Sequence, residues 1–163
     1  MSKAKAIPQG YHTVTPFLSL KNANQAIQFY IDAFKAHLIE KHESPDGKIM
    51  HAVIQIGNSL LMLADEFPES KCNMASPQTL KGSTVMLHLY VEDVDSVFNT
   101  ALKVGCKTTM PVSDTFWGDR YGQLEDPFGH LWSIATHKMD LSKKEIDKAA
   151  EDFFVNAEKG CCS

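Results

Sequence analysis

Two stretches of the chain read as one unit written twice, and no other feature limits the possible folds so tightly. Phe17-Leu18-Ser19-Leu20-Lys21-Asn22-Ala23-Asn24-Gln25-Ala26-Ile27 lines up with His88-Leu89-Tyr90-Val91-Glu92-Asp93-Val94-Asp95-Ser96-Val97-Phe98, at an offset of 88 − 17 = 71 residues. Gly57-Asn58-Ser59-Leu60-Leu61-Met62 lines up with Gly129-His130-Leu131-Trp132-Ser133-Ile134, at 129 − 57 = 72. Two separated matches at nearly one offset predict a duplicated module, with any site built from both halves.

Each copy opens with strand-like alternation. Leu87, Leu89 and Val91 oppose Met86, His88 and Tyr90, as Val14, Leu18 and Leu20 oppose Thr13, Thr15, Phe17 and Ser19. A helix follows in each. Asn22 with Gln25 reads as a capping box before the stripe Ile27, Tyr30, Ile31 and Phe34. The second helix starts near Asp93, buries Val94, Val97, Phe98, Ala101 and Leu102, and stops at Gly105. Three strands then follow, roughly 37–43, 48–56 and 59–64 in the first half and 106–113, 120–126 and 131–137 in the second. The spacing predicts an α+β fold of two tandem βαβββ repeats, about 11–66 and 83–138, within a domain of residues 1–140. Residues 141–163 form a helical extension carrying Ile146, Ala149, Ala150, Phe153, Phe154 and Ala157.

At 163 residues the chain fits one compact domain. A formal charge of −4 without a dense Lys/Arg run argues against nucleic acid, and no apolar run approaches a membrane span. The start, Met1-Ser2-Lys3-Ala4-Lys5, lacks a signal-peptide core, so a cytoplasmic protein is expected. Cys72, Cys106, Cys161 and Cys162 make no CxxC spacing and are read as reduced thiols without a role. No glycine-rich phosphate loop and no GxSxG elbow is present.

Ala26-Ile27-Gln28-Phe29-Tyr30 and Glu125-Asp126-Pro127-Phe128-Gly129-His130, set in two βαβββ halves, resemble the vicinal-oxygen-chelate superfamily. That superfamily includes glyoxalase I, bleomycin- and fosfomycin-resistance proteins and extradiol dioxygenases. Pro16-Phe17 and Trp117-Gly118-Asp119-Arg120 look most like its PhnB-like, glyoxalase-like branch. The resemblance covers about residues 11–138. It implies a partly open, barrel-like sheet with a concave cleft, and a homodimer whose sites lie between modules.

Metal-dependent members place His, Gln or Glu on the first strand of each half and Glu on the last, a donor set suited to an octahedral divalent ion. Carried over by register, those slots hold Thr15, Leu61, Met86 and Ser133. Leu and Met offer no hard donor, so the expectation is no metal cofactor at the usual site. A displaced site using His51, His88 and Glu125 remains the alternative.

Alternation assigns His51, Val53 and Gln55, then Tyr121, Gln123 and Glu125, to the cleft, together with His88, Tyr90 and Ser133. One reading is an enzyme, a lyase or isomerase of the glyoxalase type, with His88 and Glu125 as proton carriers. The other is a binder of a small oxygenated or aromatic metabolite or drug, in the manner of bleomycin-resistance proteins. Phe17, Tyr90 and Trp117 would stack on a flat ligand, Arg120 would take an anionic group or pair within the fold, and His51, Gln55 and Gln123 would supply polar contacts. His12, His37, His42 and His137 are read as surface or structural.

Overall fold

The structure is a computed structural model that describes residues 4–69 and 74–160, with side chains as far as Val155. Cys72, Cys161 and Cys162 lie outside the described residues. The first half contains β1 (Phe17–Leu20), α1 (Ala23–Phe34), β2 (His37–Glu43), β3 (Ile49–Ile56) and β4 (Ser59–Asp65). The second contains β5 (Met86–Tyr90), α3 (Val94–Lys103), β6 (Lys107–Asp114), β7 (Asp119–Glu125) and β8 (Leu131–His137). A one-turn α2 (Pro77–Leu80) sits in the connection, which the sequence reads as loop; Ser76 caps it and Pro77 starts it.

Each half forms one four-stranded mixed sheet, ordered β1-β4-β3-β2 and β5-β8-β7-β6. First and last strands run parallel, and the remaining pairs are antiparallel. Neither sheet closes on itself. The duplication seen in the sequence is therefore a duplication of topology. β1 is shorter than the alternation suggests, beginning only at Phe17. In β6, Pro111 is tolerated because the strand is an edge and its register slips on both sides of Met110.

Local chemistry sets the helix starts. Asn22 Oδ1 accepts from Gln25 N–H at 3.0 Å, and Asp93 Oδ1 accepts from Ser96 N–H at 3.0 Å. The buried faces of α1 and α3 then pack across the boundary between halves. Phe29, Tyr30 and Phe34 of α1 meet Phe128 and Trp132 of the second half, with the Phe34 and Trp132 rings 4.7 Å apart. The buried Asp126 carboxylate sits inside this cluster. It accepts from Tyr30 Oη at 2.8 Å, from Trp132 Nε1 at 2.9 Å, and from the N–H groups of Phe128 and His130 at 2.9 Å.

One register differs from the sequence expectation. Matching Gly57 to Gly129 equates Leu61 with Ser133. In the fold, Phe17 pairs with Met62 and His88 pairs with Ser133, so the equivalent of Ser133 is Met62. The two connections differ in length: Ile56 pairs with Ser59 across a two-residue turn, whereas Glu125 pairs with Leu131 across Asp126–His130. Leu61 belongs to the core cluster rather than the concave face.

After β8 the chain crosses back over the β6–β7 turn and enters α4 (Lys143–Gly160). Ser142 and Glu145 cap it reciprocally. The predicted stripe divides: Ile146, Ala149 and Ala150 are half-buried, while Phe153 and Phe154 are exposed. The side chain of Ala157 lies outside the described residues. Among the described residues no helix is long and apolar enough to cross a membrane.

Candidate functional site

The concave face of the second sheet carries a continuous wall of rings. Because side chains alternate, β5 sends His88 and Tyr90 to the face on which β8 places Ser133 and β7 places Asp119, Tyr121, Gln123 and Glu125. His88 lies 4.5 Å from Tyr90 edge to face and 6.0 Å from Tyr121 in a near-parallel arrangement. Tyr121 lies 5.7 Å from Trp117, which projects from the β6–β7 turn. Tyr90 is 65% exposed and Trp117 36%, so ring surface faces outward.

Polar bonds fix these rings in place. His88 Nδ1 is 2.7 Å from Ser133 Oγ, which occupies one ring nitrogen and leaves Nε2 for the open side. Gln123 Nε2 donates to Tyr121 Oη at 2.9 Å. Tyr90 Oη and Trp117 Nε1 both donate to Asp119 Oδ2, at 3.1 and 3.0 Å. Asp119 is only 4% exposed. Its other oxygen lies 2.7 Å from His137 Nδ1, and His137 Nε2 is 2.9 Å from Asp140. Burial alone would raise the Asp119 carboxyl, yet hydrogen bonds from His137, Tyr90 and Trp117 outweigh it and hold the group below the usual carboxylate range. The same contacts, with Asp119 first and Asp140 second, push His137 upward. Sequence reasoning passed over Asp119 and read His137 as structural. Extending the Tyr121–Gln123–Glu125 alternation one step back would have found the carboxylate.

Other predicted residues fall elsewhere. Arg120 shares its strand face with Gly122 and Leu124, which is the helix-covered side. There Asp95 grips its Nε and Nη2 at 2.6 and 2.7 Å, and Asp114 takes Nη1 at 3.2 Å. Those hydrogen bonds raise the guanidinium pKa further. Arg120 is thus a structural pair in the fold, and the expectation of a ligand contact in the cleft is corrected. Glu125 stands on the concave face but two strands and one two-residue step from His88, about 12 Å between Cα atoms by standard sheet spacings. The structure does not bring the two predicted proton carriers together. Glu125 instead borders a separate surface hollow with Gln78, Lys81 and Pro127.

The first half makes a second, smaller wall. Phe17 lies 6.0 Å from the His51 ring, His51 is 3.4 Å from Glu40, and Gln55 donates to its own turn at Gly57 O. Val53, expected in the cleft, is fully buried beneath this wall. No ring contact or hydrogen bond among the described residues joins the two walls. A cavity of about 240 Å³ lies between the halves, bordered by Thr15, Pro16 and Leu60 on one side and Met86 and His88 on the other. A larger one, about 710 Å³, lies beneath the connection, where Leu18, Leu80, Val85 and Leu87 surround His130. Burial lowers the His130 pKa against the opposing pull of Asp126, which favours a neutral imidazole there.

The corrected register tests the metal site directly. The concave positions that pair with the last-strand slots are Phe17 with Met62 and His88 with Ser133, each two residues beyond the Thr15 and Met86 slots carried over from the sequence. This set supplies one imidazole and one hydroxyl, no carboxylate, and two apolar side chains. It does not fit a hard octahedral ion. Among the described residues no three His, Cys, Asp or Glu side chains gather elsewhere as such an ion would need.

The fold and sequence agree on a family. Residues 12–134 match the model of the Glyoxalase/Bleomycin resistance protein/Dioxygenase superfamily, and the chain belongs to it. An uncharacterized protein of Mycobacterium tuberculosis (strain CDC 1551 / Oshkosh) is 39% identical over 138 residues, covering 83% of this chain and 81% of that one. Among solved structures, protein PA1353 from Pseudomonas aeruginosa superposes with a TM-score of 0.63 at 24% identity, covering 78% of this chain and 99% of its own. The PhnB protein from Bacillus cereus does so with a TM-score of 0.60 at 20% identity, covering 77% and 99%. At those identities the two structures speak for the fold.

Proposed function

We propose that the chain is a small-molecule binder that holds a flat, partly aromatic metabolite or drug against the ring wall of the second half, without the usual metal. The observation that supports this reading is the unbroken sequence His88, Tyr90, Tyr121 and Trp117, whose polar tips are tied back to Ser133, Gln123 and Asp119. Rings held by their tips present their faces without loss of side-chain freedom on binding. A thermal-shift screen against planar aromatic compounds tests it. Hits should stabilise the native protein and lose their effect in Trp117→Leu, a change at a largely surface position. Hits unaffected by that substitution would remove the wall from the site.

A proton-transfer activity is the second reading, and the His88–Ser133 bond favours it. A nitrogen fixed by Ser133 leaves the other free to take or give a proton beside a bound carbonyl. Glu125 would then act separately or not at all. Under this reading His88→Ala abolishes turnover, while ligand affinity, still supported by Tyr90, Tyr121 and Trp117, is largely retained. Either reading extends to a homodimer, in which a second copy covers the open walls. Light scattering on the full chain would show two copies, and a monomer at micromolar concentration would refute it.

A further inference from the structure

Taking the ring wall as the binding surface, we propose that the preferred ligand is an organic cation, an alkylated ammonium seated on the faces of Tyr90, Tyr121 and Trp117 above the Asp119 carboxylate. Aromatic faces carry the negative end of the ring quadrupole and attract cations lying within about 6 Å of the ring centre. Here Tyr121 and Trp117 lie 5.7 Å apart, and Tyr90 and Trp117 converge on one oxygen of Asp119, so a compact ammonium reaches more than one ring. Two of them also donate hydrogen bonds to one carboxylate oxygen, and that donation makes both π-systems richer in electrons. The carboxylate is buried beneath them and held ionised.

The charges around the wall point the same way. Asp119 and Asp140 flank His137 beside the wall, so two carboxylates face one imidazole there. Arg120, the cation an anionic ligand would want, is turned to the other face and held by Asp95 and Asp114. Lys107 stands opposite Glu125 at the far edge of the sheet. A ligand carboxylate or phosphate on the wall would face the Asp119 and Asp140 charges without help from Arg120, whereas an ammonium would be attracted by them.

The test compares 3-(trimethylammonio)phenol with 3-tert-butylphenol, two phenols of nearly equal shape that differ in charge. Calorimetric titration of the full chain at pH 7 should show the cation binding about tenfold more tightly. Asp119→Asn should cut that preference to about threefold or less, with the neutral phenol little affected. Trp117→Leu should weaken both and reduce the preference, and it serves if the Asn variant does not fold. Equal or tighter binding of the neutral phenol overturns the cation assignment while leaving the wall as a binding surface. Failure of both phenols to bind, or binding unchanged in Trp117→Leu, overturns the wall itself.

Discussion

Tyr30 donates its hydroxyl to Asp126 Oδ2 over 2.8 Å, tying α1 of the first half to the β7–β8 connection of the second across 96 positions of chain. Trp132 Nε1 shares that oxygen. Burial, with the Asp126 charge and hydrogen bond added, pushes the Tyr30 hydroxyl pKa well up, so it stays a donor. Tyr30→Phe is expected to cost about 1–2 kcal/mol. Asp126→Ala should cost roughly 3 kcal/mol or more, because it strands the indole and two backbone N–H groups in the core. Urea unfolding would measure both, with the slope unchanged if the halves still unfold together.

The C-terminal strap is held at Gly118. This residue has φ +97°, and a Cβ there would stand 2.5 Å from the carbonyl oxygen of Met139. Lys138 and Met139 both donate backbone bonds to Gly118 O. Gly118→Ala should therefore push the strap away, free the backbone at Lys138 and Met139 from Gly118 O, and speed trypsin cleavage after Lys138. Gly57, with φ +58° and open space around its Cβ, is the control. Gly57→Ala should cost about 1 kcal/mol and leave cleavage at Lys138 as slow as before.

His137 has an acceptor at each ring nitrogen, and both bonds can be made only by the imidazolium. Its raised pKa means this contribution is full below about pH 6.5 and fades as pH rises through the higher folded value. Asp119 works in the opposite sense. Its depressed pKa gives stability present above about pH 3.9 and lost as pH falls through the lower folded value. The groups facing His137 are Asp119 and Asp140, with Tyr90 and Trp117 reaching it through Asp119. Proton NMR should show His137 titrating above about 6.5, and Asp140→Asn should lower its midpoint. A midpoint at or below the ordinary value would refute the clamp.

The donor set at the paired concave positions predicts weak metal binding. Nickel or zinc titrated into the protein should bind no more tightly than to ordinary surface histidines, and His88→Ala should change the isotherm little. One tight equivalent lost in His88→Ala would show that a displaced site exists after all.

Much of the fold is written locally. The two-residue alternation of Leu87, Leu89 and Val91, the caps at Asn22 and Asp93, and the helical stripes all depend on near neighbours, and they recur in the structure. What escaped depends on partners far away. The Gly57–Gly129 match misplaced Leu61 because glycines mark turns without stating their length, and one extra step flips every side chain on the strand. Arg120 looked like a cleft residue beside Trp117, although strict alternation from Leu124 already assigns it to the covered face. Asp119 gains its character from Tyr90, Trp117 and His137, and no spacing rule forecasts that a single carboxylate will draw three donors. Phe153 and Phe154 followed the helical stripe, but both rings stay exposed, and Phe153 meets the edge of the module at Phe116, 5.5 Å away.

The chain holds two tryptophans, Trp117 on the ring wall and Trp132 in the core, and their indole N–H signals in a ¹H–¹⁵N NMR titration test the binding surface most directly. On adding 2-naphthol, the Trp117 signal should move in a saturable way together with backbone signals of His88, Tyr90 and Tyr121, while Trp132 stays fixed. Shifts gathered instead around Leu18, Leu80 and His130 would place the ligand in the cavity beneath the connection and contradict the account.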